Sequence, residues 1–327
     1  MFFKLFILLG FFTYRPITVV IGGDLMPSGS LLEFVERDPF YPFEKIESLL
    51  KIANISFFNL ECPIVDTGTP TPDKKYTFKF PTKYAWIFRK AGITGFTLAN
   101  NHTMDFGPQG LMNTIRILDS LGIGHCGAGN NLESARIPFE KTVNGVRIAF
   151  FCYSNTLPKS YWADSSKPGT VHGIEKVIKE DLENSDADYK IMVFHWSAEL
   201  LDTPKKYQRI LAHYAIDHGA DLVVGHHPHV VQTVEFYKNK PIFYSVGNFI
   251  FGSYTHDANG MLLLVEIYSP DSVDYFVVPL KTTYWTSKFQ TALSDSIEFV
   301  KSLSLRVNFT PHRFSNFTAW RVTPIKN

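Results

Sequence analysis

From residue 16 onward, short apolar runs rich in β-branched residues alternate with stretches of helical spacing. Residues 17–21 form the first run and lead into Gly22-Gly23-Asp24. The runs at 55–60 and 93–99 lead into Glu61 and into Asn100-Asn101-His102. Residues 191–194 lead into His195, and 222–224 into Gly225-His226-His227. These mostly apolar runs predict strands, the one at 191–194 a short buried strand. Between them, 43–53, 83–91 and 203–218 carry helical spacing. In 108–121, Leu111, Ile115, Leu118 and Leu121 mark one helical face, with a proline in its first turn and Gly122 just past its end. A strand at 146–153 follows Asn144-Gly145, a strong hairpin signal.

The pattern then changes. Runs at 230–236, 242–246, 261–268 and 273–280 are joined by turns such as Lys238-Asn239-Lys240, which predicts a mostly antiparallel portion. No low-complexity linker or internal repeat interrupts the chain. Residues 16–283 therefore read as one α/β domain, and 284–327 as a less regular C-terminal extension with one helix predicted over 292–303. The first fifteen residues stand apart. The stretch MFFKLFILLGFFTY holds one lysine and is too short for a typical spanning helix. It resembles the apolar part of a signal peptide, although no small-residue cleavage site follows. The expectation is a signal or membrane-anchor segment on an exported or membrane-associated protein. The alternative is a cytoplasmic protein with a hydrophobic first strand.

Composition narrows the classes. Apolar residues make up 45% of the chain and charged residues 19%, which suits a globular protein with a large core. A net charge of +1 without a long basic run argues against a nucleic-acid groove. Cys62, Cys126 and Cys152 fit no metal-ligand spacing, and an odd count argues against a disulfide scaffold. Cys62, beside Glu61, reads as a small buried thiol.

The chemistry lies where the apolar runs stop. Asp24, Glu61, Asn101-His102, His195 and His227-Pro228-His229 all occupy the carboxyl end of a predicted strand. In open α/β sheets the loops converge there over a rigid scaffold, so residues distant in sequence meet at one rim. Taken singly, Asp24 reads as a turn or cap residue and His195 as a hydrogen-bonded core histidine. The exception is His226-His227-Pro228-His229, because three histidines within four residues point to metal or catalysis. The combined set of carboxylates, amide oxygen and imidazoles suits zinc, manganese or iron and is too rich in nitrogen for calcium.

Six ordered motifs carry a resemblance. They are Gly23-Asp24-Leu25-Met26, Asn59-Leu60-Glu61, Asn100-Asn101-His102 with Asp105 and Gly107, His195-Trp196 with Glu199, Gly225 with His227-Pro228-His229-Val230, and Tyr244-Ser245 with Gly247-Asn248-Phe249. Pro204, Gln208-Arg209 and Gly219-Ala220-Asp221 add to them. Together they resemble the CapA family, associated with poly-γ-glutamate capsule synthesis, within the calcineurin-like metallophosphoesterase superfamily. The likeness spans residues 19–251. It implies a sandwich of two mixed β-sheets flanked by helices, with a metal centre on the rim holding one or two divalent ions (Mn, Zn or Fe). Asp24, Glu61, Asn101, His195, His227 and His229 would be the ligands, with Glu61 bridging. His102 would face the leaving group as a catalytic residue. Asp105 and Glu199 are expected to orient imidazoles, and Asn248 to contact substrate.

Four departures accompany the likeness. Met26 stands where the superfamily usually has a histidine, and Glu61 replaces a shorter aspartate. Pro27-Ser28-Gly29 lacks an expected basic residue, and Ser197 replaces a glycine. The implied function is capsule biosynthesis through metal-dependent hydrolysis of a phosphoester or γ-glutamyl amide. The implied partners are an anionic polymer or small phosphoester and capsule-synthesis membrane proteins. The alternative is a non-catalytic, metal-stabilised polymer-binding or export factor at the cell surface.

Overall fold

A computed structural model describes residues 15–252, 258–285, 288–294, 296–302, 304 and 307–325. Its first half runs β1 (Ile17–Met26), α1 (Leu32–Arg37), α2 (Glu47–Lys51), β2 (Ile55–Leu60), α3 (Trp86–Ala91), β3 (Gly95–Thr97), α4 (Gly107–Ser120) and β4 (Gly124–Cys126). After β5 (Ala128–Gly129) and α5 (Leu132–Ala135) come β6 (Phe139–Val143), β7 (Val146–Ser154) and β8 (Gly169–Thr170). Next are α6 (Glu175–Glu183), β9 (Tyr189–His195), α7 (Lys206–Asp217) and β10 (Leu222–His226). The mostly antiparallel portion adds β11 (Val234–Tyr237), β12 (Lys240–Phe243), β13 (Asn248–Phe251), β14 (Ala258–Ser269) and β15 (Ser272–Trp285), although β12 pairs in parallel with β10 and β13 with β1. It closes with β16 (Lys288–Leu293), α8 (Glu298–Lys301), β17 (Val307–Arg313) and β18 (Thr318–Pro324).

Two mixed sheets stack to form the body. The larger runs β17-β18-β15-β14-β1-β2-β3-β4, with β13 also on β1 and β16 on β15; the smaller runs β11-β12-β10-β9-β7-β6. Strands β1 to β4 pair in parallel, as do β7, β9, β10 and β12. Parallel strands need crossover connections, and these place helices on the outer faces. The alternation of side chains within each strand divides the core. Ile17, Val19, Ile21, Ile55 and Phe57 point inward and meet Ile148, Phe150, Ile191, Val193 and Val224 of the other sheet. Val20, Phe58 and Leu60 point outward onto α2, α3 and α4 through Leu50, Phe88 and Leu118. Ala149, Met192 and Val223 do the same for α6 and α7 through Ile178, Leu182 and Ala212. This is the sandwich of mixed sheets flanked by helices that the sequence implies.

Local chemistry sets the connections. Asn144 and Gly145 adopt φ of +49° and +83°, the paired left-handed values of a tight hairpin turn between β6 and β7. Lys238 and Asn239 repeat this between β11 and β12, with φ of +48° and +63°. The helix expected over 43–53 is shorter, forming only at Glu47–Lys51 after a 3-10 turn at Tyr41–Phe43. The strand expected over 230–236 begins later, at Val234, because Val231 forms only an isolated bridge to Val246.

Two expectations are corrected. The helix predicted over 292–303 does not form across that span: β16 runs to Leu293, and among the described residues there only Glu298–Lys301 is helical. Pairing with β15 decides the matter, and the Thr291 hydroxyl meets that of Thr282 at 2.7 Å and donates to the Phe249 carbonyl at 2.6 Å. Strand β15 also runs through residue 283, and the β17–β18 hairpin pairs onto it, so described residues beyond 283 extend the same sheet. Second, Cys126 of β4 and Cys152 of β7 form a disulfide, their Cα atoms 5.9 Å apart, while Cys62 is free and buried. The odd count concealed this pair, since only stacking of the two sheets brings together residues 26 apart in sequence. The expected signal or anchor stretch, Met1 to Tyr14, lies outside the described residues. Among the described residues no helix is long and apolar enough to cross a membrane.

Phe57 of the larger sheet is fully buried against the smaller one, with ring centroids 4.2 Å from Phe150 and 5.7 Å from Phe139. Replacing it by alanine should cost about 3–5 kcal/mol, measurable by chemical denaturation. A loss below about 1 kcal/mol would mean that this stack does not hold the sheets together.

Candidate metal centre

The centre begins with an irregularity in β1. Ile21 pairs with Phe57 of β2, yet Asp24 pairs with Asn59, so β1 uses one residue more than its partner across Gly22-Gly23. Such a bulge re-aims the side chain that follows it. Gly23 is required there, because a Cβ would lie 1.9 Å from the Gly247 carbonyl oxygen. The Asp24 N–H donates to that same oxygen at 3.1 Å.

Asp24 is fully buried and saturated with partners. Its Oδ1 accepts from Asn59 Nδ2 at 2.8 Å and lies 3.2 Å from His226 Nδ1. Its Oδ2 accepts from the His227 N–H at 3.2 Å and lies 3.1 Å from His229 Nδ1. Glu61, just past β2, shares the Asn59 amide through Oε2 at 3.1 Å. Its Oε1 makes no hydrogen bond and faces His195 Nε2 at 3.4 Å and His229 Nε2 at 3.8 Å. His195, ending β9, meets Asn101 Oδ1 at 2.8 Å through Nε2. The rings of His195 and His227 stand 4.7 Å apart. His227 and His229 follow β10 with φ of +93° and +59°. Backbone held in that region by non-glycine residues carries strain, and such strain gathers at functional sites.

Five of the expected ligands fall into two overlapping groups. Donor atoms of Glu61, His195 and His227 lie within 4.8 Å of one another, as do those of Asp24, Glu61 and His229, so Glu61 belongs to both. Asn101 touches the first group through His195. Burial and mutual charge split the ionisation of the set. Burial would raise the Asp24 carboxyl, but the His226 and His229 imidazoles packed against it outweigh burial and hold the group well below its usual range. Burial, with the neighbouring Asp24 and Glu199 charges, pushes Glu61 well above its own. Burial also drives His195 well down, with His227 adding to it, and takes His227 to about 3. Neutral imidazoles and one displaceable carboxyl proton are what a divalent transition metal requires of its ligands. The unpartnered Glu61 Oε1 and His227 Nδ1, both buried, fit the same requirement. The residues therefore fit the implied metal.

His102 is also brought in, by a different route. Asn100 Oδ1 accepts from its backbone N–H at 3.0 Å, and its Nδ1 meets Asp105 Oδ2 at 2.8 Å. Asp105 is fully buried and also accepts from the Phe78 N–H at 2.7 Å. The Lys74 ammonium pairs with its Oδ1 and with the Asn101 carbonyl. Burial lowers His102, while the Asp105 carboxylate works against that shift.

Other expected residues sit differently. Asn248 is 1% exposed, and its Oδ1 accepts at 3.0 Å from His229 Nδ1, a contact through which it can orient that histidine. Glu199 is exposed on the loop after Trp196, and among the described residues no hydrogen bond joins it to an imidazole. Met26 packs into the helix-side core and supplies nothing to the centre. Ser197 holds φ of +80°, strained for any residue but the glycine that the resemblance implies there. Three participants carry no role of their own in the sequence reading: Asn59, Asn100 and Lys74. The first two lie inside the quoted motifs, and His226 stands out only as part of the run His226-His227-Pro228-His229. Lys74 lies in a polar loop whose residues carry no periodic signal.

A family profile described as "Bacterial capsule synthesis protein PGA_cap" matches residues 18–253. The capsule biosynthesis protein CapA of Bacillus anthracis is 28% identical over 301 residues, covering 89% of this chain and 73% of that protein. The PGA biosynthesis protein CapA of Bacillus subtilis (strain 168) is 31% identical over 214 residues, covering 64% of this chain and 56% of that protein. A crystal structure of a hypothetical protein from Thermus thermophilus superposes with a TM-score of 0.51 at 16% identity, covering 80% of this chain and 99% of that one, a likeness of fold alone. The profile covers well over half of the sequence and includes every residue of the centre, and the chain belongs to the bacterial capsule synthesis protein family PGA_cap.

Proposed function

We propose that this protein is a metal-dependent hydrolase of capsule-polymer metabolism, acting on a phosphoester or a γ-glutamyl amide of an anionic substrate. The carrying observation is the sharing of buried Glu61 between two ligand groups, Glu61-His195-His227 and Asp24-Glu61-His229. In this reading Asp24 and His229 hold one position, while His195, His227 and Asn101 hold the other. Glu61 joins them. A divalent ion there would polarise the scissile group and activate water for attack near neutral pH. His102 directly follows Asn101, whose Oδ1 meets His195 Nε2 at 2.8 Å. Backed by Asp105, His102 can hold or move a proton at its Nε2 beside the leaving group. The anionic polymer or small phosphoester, and any capsule-synthesis membrane protein, would be met at this rim.

We also propose export to the cell surface through the first fifteen residues. The names of the Bacillus relatives support it, as does the Cys126–Cys152 disulfide, since such bonds persist in oxidising compartments. In native cells fractionated under alkylating conditions, Cys126 and Cys152 should resist labelling until reduced and should sit outside the cytoplasm. A cytoplasmic pool with both thiols labelled would remove the proposal.

Metal binding can be tested without a substrate. Returning manganese or zinc to the stripped protein should stabilise it by about 2.7 kcal/mol at a hundredfold excess over Kd, read as a higher Tm. His227→Ala and Glu61→Ala should lose both that gain and metal content by elemental analysis. Full occupancy in both variants would end the metal assignment.

His102 and Asn101 are expected to separate chemistry from binding. His102→Ala should keep metal and fold while turnover falls roughly a hundredfold or more, on whichever phosphoester or γ-glutamyl peptide a screen finds. Asn101→Ala should loosen the metal instead. A His102→Ala protein with full metal and full activity would favour the non-catalytic binding factor.

A further inference from the structure

Lys74 belongs to no motif, yet only 15% of its side chain is exposed. Its ammonium contacts Asp105 Oδ1 and the Asn101 carbonyl, lies 3.3 Å from His102 Nδ1, and stands 5.1 Å from the centre of the Tyr161 ring. Lysine is rarely buried unless it is paired. The surrounding loop is fastened to the same turn. The Thr71 N–H donates to the Asp105 carbonyl and the Thr71 hydroxyl to the Met104 carbonyl, each at 2.8 Å. The Phe78 ring packs 4.8 Å from that of His102.

We propose that Lys74 is a positioning residue for His102. It holds Asp105 Oδ1, which leaves Oδ2 to accept the Nδ1–H of His102 and makes Nε2 the one lone pair that the imidazole offers the centre. The kinetic consequence rests on the hydrolase reading; the tautomeric one does not. An ammonium has three donors and no acceptor, so an Nδ1–H can donate to the Asp105 carboxylate at 2.8 Å but not to Lys74 at 3.3 Å; the competing tautomer has Nδ1 accepting from Lys74. The bond made by one ring nitrogen sets the state of the other. Through the Asn101 carbonyl, Lys74 also fixes the peptide that joins Asn101 to His102. Backbone and imidazole of His102 are thus set by the same cation.

The test is nitrogen-15 NMR of histidine-labelled, metal-loaded full-length protein, with the His102 signals assigned by their loss in His102→Gln. Wild type should show His102 in the Nδ1–H form. Lys74→Met should give mixed tautomers and lower kcat by roughly 10- to 100-fold, with KM and metal content little changed. Lys74→Arg should keep the tautomer and much of kcat. If Lys74→Met does not fold, Lys74→Gln, which retains a donor but no charge, takes its place with the same expectation of mixed tautomers. Identical His102 spectra in wild type and in these neutral variants would overturn the proposal. Failure of the wild type to turn over any substrate would count against the hydrolase reading alone, because the tautomer populations would still decide the role of Lys74.

Discussion

Two carboxylates, Asp24 and Glu61, lie side by side with no solvent exposure, and the rest of the centre is arranged around that fact. Parallel pairing of β1 and β2 sets Asp24 opposite Asn59, and Glu61 follows two residues later. Like charges so close in a low-dielectric interior cannot both persist without help. The Asn59 amide donates to both, the His227 N–H turns toward Asp24, and imidazoles crowd in from β9 and β10. Glu61 answers by retaining its proton to much higher pH than a surface glutamate would. Cation binding would relieve the same tension more completely. Burial holds His195 and His227 neutral, so neither adds positive charge to the pocket beforehand.

Most of the architecture was legible because its strands are covered on both faces. Short, mostly apolar runs rich in β-branched and aromatic residues, such as Ile55–Leu60, read as strands by their length, and that strand forms over the expected residues. The gathering of Asp24, Glu61, His195, His227 and His229 followed from one rule, that loops beyond parallel strands converge. What could not be read was orientation at the level of single side chains. Asn248 sits in a Gly-Asn-Phe turn in sequence, and only the parallel pairing of β13 with β1 turns its amide toward His229.

The misreadings share a cause. Residues 292–303 have helical spacing, but Thr291 and Leu293 find partners across β15 that outweigh local preference. Cys126 and Cys152 find each other through sheet stacking, a relation with no signature in spacing. Lys74 and Asp105 are 31 positions apart, on loops without periodicity. Regular elements announce themselves by their period. A contact between two irregular loops announces itself only in three dimensions.

The contact between Gly23 and Gly247 has a further consequence. A Cβ at Gly23 would sit 1.9 Å from the Gly247 carbonyl, and one at Gly260 would sit 2.1 Å from the Asn248 carbonyl. Three backbone segments, from β1, the approach to β13, and β14, therefore touch with no side chain between them to act as a cushion. A chimera built from two relatives could exchange whole helices at the periphery and still repack. The same exchange made at β1 alone would have to carry β13 and the start of β14 with it. For recombination these three segments are one inheritable block, although more than two hundred residues of chain lie between the first and the last.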